Sequence, residues 1–453
     1  MNNWDSSLIE KIFAEKQKEK SEDRDNLLRL TSRRLYGEKI HYALELIQNA
    51  EDENSSSITF IFSNDNISVI NNGRPFDEKD VWRICSVRPG EKKKKIGFFG
   101  IGFKSVFNIT EKPQIISSRF NFEIEDYIYP KAKSSIPENL RDYYSPERGA
   151  IFIMPYTTLS TPEELIQNFN LIDDKILLFL ESLRELKFID NINNNNWVIK
   201  NNMQTDSVLS LLNMRTEQET KWNVFHQVLR VANQEIIPEG KEGIEETRIT
   251  IAFPLDSATR DVIKKTGGVY CYLPTKKRTD LPFLIQADFL PTIGRENVSE
   301  HPWNIWLMKE LGILAAEAID KIKNNGQFCA FLYDFIPLSE EIQDALIRYL
   351  FESFFEVLKE KQIAKTTRGW EKPINCVIPT DDRLRNILTE TDLKSLLGEE
   401  VFYIEPEASE RDQKVLFELG SRCIGPKEVV DFLKKENEIG KKNKEWFLNL
   451  YEY

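Results

Sequence analysis

The sequence predicts an α/β protein, with helices and strands alternating along its 453 residues. Three observations predict it. Residues 43–52 carry side chains at the 3.6-residue period of a helix, with Leu44, Leu46 and Ile47 supplying the apolar contacts. Directly after them, "SITFIFSNDNISVINNG" holds two β-rich runs around a polar turn, which is a hairpin pattern. Past residue 240, "ETRITIAFPL" and "GVYCYLPT" repeat the strand signal, and 302–323 reads as one helix.

The remaining elements follow in order. Residues 1–24 read as a polar helical arm, and 25–52 as helix. "PFDEKDVWRIC" resumes helical spacing after a proline. "SVRPGEKKKK" is a polar loop, and "IGFFGIGFKSVFNIT" is a glycine-rich turn feeding a helix. "QIISSRFNFEIE" and "GAIFIMPY" read as strands around a polar insert at 126–148. A helix is predicted over 161–186 and a strand over 187–199. A domain boundary falls near residue 200, in the asparagine-rich "NNNNWVIKNNMQTD", so the expected units are 1–24, 25–200, 201–325 and 326–453.

Composition narrows the class. Five scattered cysteines, with no CxxC and no histidine at metal spacing, argue against a zinc site and a disulfide framework. Reduced thiols and a cytoplasmic location are the expectation. No apolar run reaches the roughly 18 residues of a membrane span. A formal charge of -12 implies no broad nucleic-acid-binding face.

"ALELIQNAED", 43–52, carries the first chemical signal. Glu45, Asn49 and Asp52 lie on one stripe, at spacings of four and three. Asparagine is a poor helix former, so its place there asks for a reason. Two further segments follow in order: "NNGRPF" at 71–76, straight after a strand, and "GFFGIGFKSVF" at 97–107, a GxxGxG pattern opening a helix. Taken singly, each has a plain reading: a solvated stripe, a turn, a tight loop.

Together they resemble the GHKL ATPases, the superfamily of gyrase, heat-shock chaperones, histidine kinases and MutL, over about 40–155. The helix motif ELxxNAxD is complete in Glu45, Leu46, Asn49, Ala50 and Asp52. It looks like the hydrolysing branches and not the histidine kinases. His41 lies too close to the motif to be a phosphoacceptor. The longer run "LPFLIQADFLPTIGRENVSEHPWNIWL" is more similar to the sacsin-type subgroup, which extends the resemblance to about 25–320.

The resemblance implies a two-layer α/β sandwich with a mixed sheet, followed by a second α/β domain and a helical or mixed C-terminal region. It implies ATP and Mg2+ as cofactors. Asn49 would offer a hard oxygen to the metal, and Glu45, one turn earlier, would hold and deprotonate the attacking water. Asp52, Asn71 and Gly73 would lie at the nucleotide, with Ala150 beside the base. Gly97, Phe99, Gly100, Ile101 and Gly102 would form the phosphate loop, whose amides open a helix. Phe103 and Lys104 continue it, and Lys95 belongs to the lid before it. Arg295, in "ADFLPTIGREN", matches the chaperone residue that reaches the γ-phosphate, as an arginine finger does. The plain alternative for Arg295 is an ion pair with Glu296 or Asp288. For Lys93, Lys94 and Lys95 it is a solvated loop.

Two positions depart from the pattern. Asn71 stands where the superfamily has an aspartate that accepts from the adenine amino group, and Ala150 stands where many relatives carry threonine. Both changes fall at the base. The expected function is a slow, chaperone-like ATPase switch. The alternative is a scaffold module that senses nucleotide without turnover. The resemblance also admits a nucleotide-dependent homodimer and a protein client, in a chaperone-like setting or in a bacterial defence or nucleic-acid-processing system. The ending "WFLNLYEY" is still aromatic, so a longer chain is expected.

Overall fold

The computed structural model describes residues 4–18, 41–86, 102–157, 161–203, 207–239, 241–256, 258–260, 263, 268–292, 297–324, 329–435 and 439–453. It is a mixed α/β protein built on one extended sheet of fourteen described strands.

The sheet starts from a hairpin of β1 (Ser57–Phe62) and β2 (Asn66–Asn71). On one side β2 pairs with β6 (Ala150–Pro155), then come β3 (Gln114–Ser117), β4 (Phe120–Glu125) and β5 (Tyr129–Ala132), all antiparallel. On the other side β1 lies parallel to β7 (Glu185–Asp190), which makes the sheet mixed. From there β8 (Asn195–Met203), β9 (Val208–Asn213), β10 (Gln218–Arg230) and β11 (Glu246–Pro254) continue antiparallel. The far edge holds β12 (Val269–Cys271), β13 (Leu273–Pro274) and β14 (Leu284–Ala287).

Period-two alternation decides which side chains meet which layer. Phe60, Phe62, Ile67 and Val69 face a core shared with α1 (Ser6–Lys18), α2 (His41–Asp52) and α4 (Pro162–Phe169). Phe60 stacks on Phe188 at 5.5 Å, and Phe188 on Trp197 at 4.9 Å. Ile61, Ile70, Ile116, Ile151 and Ile153 face the other way, under Trp4, Leu140 and Tyr144. A second core joins β11, β12 and β14 to the helices α5 (Pro302–Asn324) and α6 (Ala345–Lys359), which pack side by side. The C-terminal part adds the β15–β16 hairpin (Ala364–Thr366, Gly369–Glu371) and a small parallel sheet of β17 (Cys376–Pro379), β18 (Phe402–Tyr403) and β19 (Arg422–Ile424).

Several elements differ from the sequence reading. Within the arm predicted over 1–24, the described helix α1 is not polar all round, because Ile9 and Ile12 are buried and Phe13 packs edge-on to Tyr129. "QIISSRFNFEIE" is a hairpin rather than one strand, turned at Ser118 in the left-handed region. The 126–148 insert contains β5 and a 3-10 helix, Glu138–Tyr143. The helix predicted over 161–186 ends at Phe169, and Asp173 then caps a separate 3-10 turn, Asp174–Leu178. The strand predicted over 187–199 is the β7–β8 hairpin, with Asn194 at positive φ. Residue 200 lies inside β8, so the sheet runs through the expected boundary. β9 and β10 were not predicted.

Candidate functional site

The site is built on α2. Its buried face is Tyr42, Ala43, Leu46, Ile47 and Ala50, the apolar set that makes the segment a helix against the sheet. Glu45, Asn49 and Asp52 occupy the other stripe and are half-buried. They therefore lie at the edge of the core, where Asp52 Oδ2 is itself buried.

The 3-10 helix Gly102–Asn108, read from sequence as the helix after the glycine loop, packs against α2. Val106 is buried there, and the Phe103 ring lies 5.7 Å from that of Phe152 on β6. Lys104 is 3% exposed, and its Nζ donates to the carbonyls of Ile84 and Tyr127, each at 2.5 Å. Burial pushes this amine down to about 8. Its nitrogen is thus committed to the main chain below the helix, away from the role of a phosphate ligand expected for it. Nearby Cys85 is fully buried, and burial pushes its thiol up to about 12. Gly102 opens the helix, whereas Lys95, Gly97, Phe99, Gly100 and Ile101 lie outside the described residues. So do Lys93, Lys94 and Arg295.

Asn71 and Ala150 are directly paired across β2 and β6 and so share a face. Asn71 Oδ1 accepts from the Gly73 amide at 3.2 Å and from the Ser55 hydroxyl at 3.4 Å. Gly73 sits tight under the end of α2: a Cβ there would stand 2.5 Å from the Glu53 carbonyl and 2.5 Å from Ser55 Oγ. Its carbonyl accepts from the Gly149 amide at 2.7 Å. Gly149 has φ +69°, and a Cβ there would come within 1.9 Å of the Asn71 carbonyl. The two glycines let three segments converge at one corner.

Four positioning residues were not picked out from sequence. Asn72 Oδ1 accepts from the amides of Ser56 and Ser57 at 2.9 and 3.1 Å, which turns the chain from α2 into β1. Arg74 ties the end of α2 to α3 (Glu78–Ile84), with Glu53 and Asp80 both at 2.7 Å. Ser117 accepts from the Phe76 amide at 3.0 Å and donates to the Gly149 carbonyl at 2.5 Å. Glu51, 7% exposed, accepts from the amides of Glu181, Ser182 and Leu183 at 2.6, 3.0 and 2.8 Å. Its position beside the motif was the available signal, but its partners lie far along the chain.

The loop gripped by Glu51 also reaches the second part of the sheet. Glu181 forms an ion pair with Arg248 of β11, and Asp173 accepts from the Tyr270 hydroxyl at 2.5 Å. Among the described residues, no group of three or more His, Cys, Asp or Glu is placed to hold a metal. No described helix is long and apolar enough to cross a membrane.

The fold and this corner define a mixed α/β protein whose residues 34–242 match the family model described as the Sacsin domain. The match crosses residue 200, as the sheet does. The chain is 25% identical over 457 residues to Protein NO VEIN of Arabidopsis thaliana, covering 90% of this chain and 16% of that protein. It is 34% identical over 93 residues to Sacsin of Homo sapiens, covering 16% of this chain and 2% of that one. The chain thus spans only a small part of the length of these relatives. Among solved structures, the crystal structure of the N-terminal domain of a DNA repair protein aligns with 57% of this chain and 86% of its own, at 11% identity and a TM-score of 0.32.

Proposed function

We propose that this chain is a magnesium-dependent module that binds and hydrolyses ATP, a chaperone-like conformational switch of the sacsin type. The observation that carries the reading is the half-buried stripe of Glu45, Asn49 and Asp52, with the 3-10 helix Gly102–Asn108 docked on the same α2. The donor chemistry fits magnesium, which takes hard oxygens and keeps several waters, so one amide oxygen suffices from the protein. Bound through Asn49, the ion would supply neutralisation of phosphate charge.

The protein's own residues would do the rest. Glu45, one turn before Asn49, orients a water and takes its proton. The base end rests on Asn71, Gly73 and Ala150, held by the glycine contacts described above. Arg295, outside the described residues and eight positions after the last residue of β14 in the sequence, would add positive charge at the far end of the triphosphate. The Glu51 grip on 181–183 and the Glu181–Arg248 ion pair offer a mechanical link from α2 to β11, and β14 pairs with β11.

A second reading is a scaffold module that binds nucleotide without turnover. Asn71 and Ala150 favour it, because both lack the side chain the superfamily uses at the base. Calorimetric titration with ATP, with and without Mg2+, tests the shared part of both readings. Wild type is expected to bind only with Mg2+, and Asn49→Ala to lose that binding. Unchanged affinity in Asn49→Ala removes the metal assignment.

A further inference from the structure

The hydrogen bonds of Asn71 decide what it shows to a ligand. The Gly73 amide can only donate, so the Asn71 atom 3.2 Å from it is the oxygen. The Ser55 hydroxyl, on a fully buried residue, lies 3.4 Å from the same oxygen. The amide nitrogen of Asn71 has no hydrogen bond to any described residue, and Asn71 is half-buried as the last residue of β2. Its cross-strand neighbour Ala150 offers a methyl group and no polar atom. The main chain cannot easily turn this residue over, because Gly149 is packed against the Asn71 carbonyl.

An aspartate in the same place would keep one oxygen on Gly73 and show a second acceptor outward. Asn71 shows a donor instead. A purine with a 6-amino group presents N–H there, and two donors face one another without an acceptor between them. A 6-oxopurine presents a carbonyl oxygen, which accepts. We propose that this site takes a 6-oxopurine nucleoside triphosphate, of the guanine or inosine type, ahead of ATP. The inference rests on the nucleotide-site reading above and changes only the base.

Competition titrations with ITP and ATP in the presence of Mg2+ test it, since the two differ only in the hydrogen-bonding edge around position 6. Wild type is expected to bind ITP about tenfold more tightly than ATP, the scale of one hydrogen bond gained against one donor left unmet. Asn71→Asp is close to isosteric and still accepts from Gly73, so it should fold alike and reverse the order. Equal or tighter binding of ATP by wild type, or an order that Asn71→Asp leaves unmoved, overturns the inference while leaving the nucleotide site intact. Absence of binding to either triphosphate overturns the nucleotide reading, and the inference with it.

Discussion

The Glu51 carboxylate of α2 accepts the main-chain amide of Leu183 at 2.8 Å, across 132 residues of chain. The adjacent amides of Glu181 and Ser182 point at the same group. Three N–H donors on a buried carboxylate form a strong, directional attachment. It holds the helix of the candidate site to the start of β7, which is the parallel neighbour of β1.

Glu51→Ala should therefore destabilise the fold. Hydrogen bonds to a charged group contribute about 1.5–3 kcal/mol each, and three amides would be left without their acceptor, so a loss of roughly 3 kcal/mol or more is expected. Urea denaturation measures it. A loss below about 1 kcal/mol, the scale of one neutral hydrogen bond, would mean the loop finds other partners.

Gly149 is the second structural test. An added methyl group would meet the Asn71 carbonyl, and its φ of +69° is unfavourable for any L side chain. Gly149→Ala should cost on the order of 1–3 kcal/mol through backbone strain alone, and more if β6 must shift. Thermal unfolding together with nucleotide titration reads both effects. An unchanged melting temperature would contradict the packing described at this corner.

Lys104 predicts a pH dependence. Its folded-state value, about 8, is below the ordinary lysine value of 10.5, because burial disfavours the ammonium. Between those values the unfolded chain binds the proton and the folded chain does not, so stability rises with pH across that window. The neutral amine keeps two N–H donors for the two carbonyls it meets. Relative to Lys104→Met, wild type should gain stability as pH rises from 8 to 10.5, by on the order of 3 kcal/mol at most. A difference between the two proteins that does not change with pH would place the charge in water.

Local periodicity made part of this protein legible. The apolar spacing of α2 is complete within twelve residues, and the β1–β2 hairpin closes over a short turn, so both appear in sequence as they fold. The helix Pro302–Asn324 is similarly plain, with apolar side chains on several faces because it packs against both β11 and α6. Pairings between distant segments carry no such signal. Nothing near Ser57 indicates that β1 will lie parallel to residues 185–190. Two turns were hidden because Ser118 and Asn194 adopt positive φ without being glycine, and the runs around them look like single strands.

At the candidate site, residue types were easier to find than their partners. Asn49 and Glu45 stood out by spacing on one helix. Glu51 did not, since its amides are supplied from residues 181–183. Lys104 looked suited to a phosphate by its place after the glycines. Its actual partners, the Ile84 and Tyr127 carbonyls, come from the end of α3 and the turn before β5.

The hydrolytic site proposed on α2 has Glu45 as its base. Phosphate release from the preferred purine triphosphate, measured with Mg2+ on wild type and Glu45→Ala, tests it most directly. A general base contributes about 10²–10⁴-fold in rate, so the variant should bind nucleotide as wild type does and release phosphate at least about a hundredfold more slowly. Equal rates in the two proteins, or no magnesium-dependent release from wild type, would contradict it.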